Sequence, residues 1–77
     1  MTLQDMQIRL KQAFPDAEIE VIDLTGTQDH WEVFVASTLF TGRSRIEQHQ
    51  MVNRAFAEEL RTGEVHALSI KTLIRKE

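Results

Sequence analysis

The chain contains no cysteine. That excludes a disulfide framework and any metal centre built from its own thiolates, and it fits a reducing compartment, so the cytoplasm is the expected location. Aromatics are also scarce: there are four phenylalanines and one tryptophan. Trp31 is the one large side chain available for stacking on nucleobases. An excess of positive charge is missing as well. The formal charge is −3 at pH 7, which argues against a general polyanion binder, because nonspecific nucleic-acid affinity comes from phosphate neutralisation by a basic surface. No apolar run approaches the roughly eighteen residues of a membrane span, and the N-terminus lacks the basic-then-apolar build of a signal peptide.

What is present is ordinary globular composition, 42% apolar and 27% charged over 77 residues. The expectation is a single domain, 1–77, with a thin core, since a chain this short buries only about 60–65% of the surface its unfolded form exposes. Such a core spares few residues for supporting a catalytic cleft, so a binding module is favoured over an enzyme. Ser37, Ser44 and Ser69 have no assignable histidine and acid partners.

The hydrophobic pattern gives the order αββαβ. From Thr2, the residues Leu3, Met6, Leu10 and Ala13 recur at helical spacing, with Ile8 and Phe14 widening the stripe. Thr2 and Asp5 form a capping pair, and Pro15 stops the helix near Phe14. Strand one runs from Glu18 to Leu24, with Ile19 and Val21 on one face and Ile22 and Leu24 on the other. Thr25 to Asp29 forms a turn, and strand two follows from His30 to Ala36, with Trp31, Val33 and Val35 alternating against His30, Glu32 and Phe34. The two strands read as an antiparallel hairpin. Ser44 and Glu47 make a second capping box for a helix to about Arg61, whose apolar arc carries Ile46, His49, Val52, Phe56 and Leu60. Thr62-Gly63 closes it, and a third strand runs from about Val65 to Leu73. The fold class is α+β: two layers, with helices on one face of a three-stranded sheet.

Three histidines carry the chemistry available to this chain. His66, entering strand three, and His49, one turn into the second helix, sit where a simple core or surface pattern asks for no imidazole, and His30 opens strand two. His49 lies on the apolar arc of the second helix and is read as a structural, half-buried ring. A zinc site from His30, His66 and Asp29 is conceivable, but its ligands are loosely spaced. Arg43, Arg45 and Lys71 offer a local basic surface near the Gly42 turn. That turn reads Gly42-Arg43-Ser44-Arg45 and lacks the second glycine of a phosphate-clamping loop.

Read together, several stretches resemble the BolA family along nearly the whole chain: Phe14-Pro15-Asp16-Ala17; Thr25-Gly26 through Asp29-His30-Trp31; Ser37 through Phe40-Thr41-Gly42; His49-Gln50-Met51-Val52; and His66-Ala67-Leu68-Ser69-Ile70-Lys71-Thr72. The resemblance implies an αββ(αα)β fold akin to the class II KH domain, with the long helix broken in two. It implies a partner, a monothiol glutaredoxin, and a shared [2Fe-2S] cluster. In that arrangement the glutaredoxin gives a cysteine, glutathione gives another thiolate, and the histidine opening the last strand, here His66, gives its imidazole. It also implies an alternative role as a DNA-binding transcriptional regulator linked to stress response. A cysteine-free chain cannot hold such a cluster alone, although iron in these clusters accepts imidazole in place of thiolate. The family's second ligand position, in the loop between the first two strands, holds Thr27 or Gln28 here, and neither is an iron ligand. His30 is the nearest substitute. Arg43, Arg45 and Lys71 are expected at the contact with partner or nucleic acid, and His49 and Gly42 in structural roles. A weak homodimer remains open, and no membrane partner is expected.

Overall fold

A computed structural model describes residues 1–76. Helix α1 (Leu3–Ala13) starts at a capping box in which Asp5 N donates to Thr2 Oγ1 at 3.1 Å and Thr2 N donates to Asp5 Oδ2 at 2.9 Å. It ends at Phe14, ahead of Pro15. Strands β1 (Glu18–Asp23) and β2 (His30–Ser37) pair antiparallel, as their alternation requires. A single 3-10 turn, η1 (Thr38–Phe40), leads to α2 (Arg45–Ala55), α3 (Ala57–Thr62) and β3 (Ala67–Ile74). The sheet order is β1-β2-β3, with β3 parallel to the central strand. The parallel pair needs a crossover, which η1, α2 and α3 supply.

The helices cover one face of the sheet. Met6, Leu10 and Phe14 from α1 and its cap, Val52 and Phe56 from the crossover, and Val21, Trp31, Val33 and Val35 from the strands form one buried cluster with Phe40. The Phe14 and Phe40 rings meet at 5.2 Å between centroids, tilted by 54°, an aromatic arrangement favoured over a face-to-face sandwich. Ile22 and Leu73 point to the uncovered face and are 47% and 57% exposed.

Three expectations are corrected. The helix that periodicity alone runs unbroken from Ser44 to Arg61 is split at Phe56, whose φ of −118° and ψ of 20° leave helical geometry, in the two-helix form that the family resemblance implies. The arc of α2 that faces the core is also rotated: Ile46 is 71% exposed, whereas Gln48 is buried with Val52 and Phe56. Gln48 is drawn inward by two bonds, Nε2 donating to the Arg43 carbonyl at 2.9 Å and Oε1 accepting from Thr72 Oγ1 at 2.5 Å. On α1 the apolar stripe narrows to Met6 and Leu10; Leu3, Ile8 and Ala13 are exposed, because the small sheet offers too little surface to cover a wider face.

Candidate functional site

The parallel pairing of β2 and β3 decides where the histidines lie. Parallel strands start at the same end of the sheet, and the register places His30 opposite Ala67. His66, one residue earlier, therefore sits beside His30, with ring centroids 5.8 Å apart and planes inclined by 33°. Both rings reach solvent: the side chains of His30 and His66 are 43% and 61% exposed.

Asp29 lies between them. His30 Nδ1 donates to its Oδ1 at 2.9 Å and His66 Nδ1 donates to its Oδ2 at 3.0 Å. The Thr27 hydroxyl donates to Oδ1 as well. These bonds, led by that of Thr27 and followed by those of His30 and His66, hold the Asp29 carboxyl well below the usual carboxylate range. The main chain repeats the link, since the amides of His66 and Ala67 both donate to the Asp29 carbonyl, at 2.8 and 3.2 Å.

The loop leading to Asp29 is folded tightly. Asp23 Oδ1 accepts from the Gly26 amide at 3.0 Å and Asp23 Oδ2 from the Gln28 amide at 3.2 Å, an Asx-type closure. Gln28 takes a left-handed φ of 62° to complete it. Thr27 and Gln28, at the expected position of a second ligand, thus serve the loop and the carboxylate.

The other residues singled out from the sequence divide. Gly42 adopts a φ of 76°, which the turn into α2 requires. His49 is half-buried and borders a depression shared with Arg45, Ile70, Lys71 and Thr72. Arg43 is not part of that depression. It pairs with Glu47 at 3.6 Å and faces a different hollow with Arg54. Lys71 also pairs with Glu32, at 3.2 Å.

Among the described residues, Asp29, His30 and His66 form the one cluster of metal-ligating side chains. Sequence reasoning grouped Asp29 with both histidines as a loosely spaced zinc site but did not show that the carboxylate bridges the two rings. The bridge becomes visible only when β3 is laid parallel to β2.

A model of the family described as BolA-like protein matches residues 10–77. The chain belongs to the BolA family. It is similar to an uncharacterised protein of Rickettsia prowazekii, 36% identical over 73 residues that cover 95% of this chain and 94% of that one. It is similar also to the Escherichia coli protein named DNA-binding transcriptional regulator BolA, 33% identical over 84 aligned positions covering 100% of this chain and 79% of that one. Among solved structures it resembles BolA1 from Arabidopsis thaliana, with a TM-score of 0.83 and 28% identity over 96% of this chain and 92% of that one. This BolA-like chain has the three-stranded mixed sheet and the helices of that structure. None of its helices is long and apolar enough to cross a membrane, among the described residues.

Proposed function

We propose that this BolA-like chain is an adaptor for iron-sulfur cargo, working with a monothiol glutaredoxin in the cytoplasm. The glutaredoxin cysteine and glutathione supply thiolates to a shared [2Fe-2S] cluster. His66 supplies an imidazole nitrogen, and His30 stands beside it as a second. The observation that carries this reading is the exposed pair of rings, 5.8 Å apart, at one end of the sheet in a chain without a thiol. Imidazole is a borderline ligand that iron accepts when thiolates complete its shell, so partnership is a chemical requirement here. The chain binds and positions; it has no assigned catalytic role. Because imidazole ligates only when neutral, cargo sharing weakens toward acid pH.

The test is visible circular dichroism of a glutathione-ligated, cluster-loaded glutaredoxin dimer titrated with this protein. A new spectrum saturating at one equivalent per glutaredoxin, and lost with His66→Ala, supports the reading. An unchanged spectrum with the unaltered chain removes it.

A second reading, a DNA-binding regulator, has a specific support in the name of the Escherichia coli relative. The surface it would use contains Arg45 and Lys71 beside His49. Arg45→Ala would then weaken DNA binding evenly across sequences and lower the salt slope by about 1, while His66→Ala would leave it intact.

A further inference from the structure

We propose that Asp29 is the positioning residue of the histidine pair: its single carboxylate fixes both imidazoles in the tautomer that presents Nε2 to the cargo. This rests on the cluster-sharing reading above and adds to it which nitrogen ligates and what selects it.

A neutral imidazole carries one N–H, and the bond made by one nitrogen decides whether the other is free to ligate. An ionised carboxylate only accepts hydrogen bonds. With Nδ1 of His30 at 2.9 Å from Oδ1 and Nδ1 of His66 at 3.0 Å from Oδ2, both Nδ1 atoms carry the proton. Both Nε2 atoms keep the lone pair. Each carboxylate oxygen serves one ring, so a side chain with one acceptor cannot do the same work.

Two further features fit an anchor with ligands outside it. The Asp29 side chain is 27% exposed, less than either ring. It is held from two sides, by the Thr27 hydroxyl on Oδ1 and by the amides of His66 and Ala67 on its carbonyl. Carboxylate partners of this kind orient ligating histidines, and losing one weakens metal affinity by about 10–100-fold.

Asp29→Asn makes the sharpest variant. Its amide offers one oxygen and one NH2, so one ring keeps Nδ1–H while the ring facing the NH2 must accept at Nδ1 and carry its proton on Nε2. The main-chain bonds of residue 29 are unaffected. The experiment has two arms. Long-range proton-nitrogen NMR of histidine-labelled protein, at a pH where the rings are neutral, reads the tautomers directly. The circular dichroism titration against cluster-loaded glutaredoxin reads cargo sharing.

The expected result is Nδ1–H at both His30 and His66 in the unaltered chain, a switch to Nε2–H at one of them in Asp29→Asn, and sharing weakened by about 10–100-fold in that variant. An Nε2–H form of either ring in the unaltered chain overturns the inference without any variant. So does an Asp29→Asn protein that shares cargo as well as the unaltered chain, which leaves the His66 reading standing. Failure of the unaltered chain to share cargo strikes the parent reading instead and takes the positioning role with it.

Discussion

Arg9 of α1 donates to both carboxylate oxygens of Glu59 in α3, at 2.6 and 3.2 Å. The same guanidinium donates to the Ala55 carbonyl at 2.9 Å and lies 5.8 Å from the centroid of the Phe56 ring. It therefore spans the break between α2 and α3. A helix break releases carbonyls that need donors, and Arg9 supplies one from another element. Arg9→Met, which keeps the aliphatic stem, is expected to lower stability by about 1–2 kcal/mol, the range for hydrogen bonds to charged groups reduced by partial exposure. Urea denaturation measures it. Glu59→Gln should weaken the same contact, so the double variant should lose less than the two single losses added together.

Asp16 ties the turn after α1 to the end of β2. Its oxygens accept from Ser37 Oγ at 2.8 Å, the Thr38 amide at 2.7 Å and Thr38 Oγ1 at 2.9 Å. These bonds, the Thr38 amide foremost, lower its pKa from 3.8 to about 2. A carboxyl lowered on folding stabilises the folded chain above its unfolded pKa, and that support disappears as the pH falls to the folded value. The unaltered chain should thus exceed Asp16→Asn in urea midpoint at neutral pH, with the gap closing between pH 3.8 and about 2. A gap that stays constant over that window would contradict the assignment.

Gln48 joins the Gly42 turn to β3 through the Arg43 carbonyl and the Thr72 hydroxyl. Gln48→Leu preserves much of the volume but leaves both partners unsatisfied in a half-buried place, with an expected loss of about 1–3 kcal/mol. Amide hydrogen exchange should report faster opening of the turn and of the end of β3, while β1 keeps its protection.

Gln28 holds a φ of 62° in the loop that carries Asp29. Left-handed backbone costs a side-chain-bearing residue about 1–2 kcal/mol, whereas glycine takes it freely at a smaller entropic cost in the unfolded chain. Gln28→Gly is expected to raise stability by up to about 1 kcal/mol. An increase in the thermal midpoint with unchanged histidine tautomers is the outcome to look for.

The parts legible in the sequence are those decided by neighbours along the chain. The capping boxes at Thr2 and Ser44, the stop at Pro15, the left-handed Gly63 and the alternation through Trp31, Val33 and Val35 all form as read. The features that hydrophobic periodicity misses depend on distant residues, although the family resemblance already implies the break in the second helix. The break at Phe56 is spanned by Arg9, η1 is anchored by Asp16, and the inward turn of Gln48 needs Thr72. Hydrophobic periodicity contains none of these partners. The site divides in the same way: residue type singled out His30, His66 and Asp29, but the carboxylate bridge between the rings and their common exposure follow from the parallel register of β2 and β3.

That register also ties the histidine pair to the folding of the whole chain. The two rings come from strands that meet only after the segment between them has closed through η1, α2 and α3, a non-local pairing whose loop entropy must be offset before any contact is gained. No fragment lacking the crossover brings them together. Whatever is gripped by both rings is gripped by the native state alone, and mass action converts each tenfold excess over its dissociation constant into about 1.4 kcal/mol of resistance to unfolding. In a domain with so thin a core, loading would act as a clasp on β3, and release of the load would return that strand to its weaker native hold.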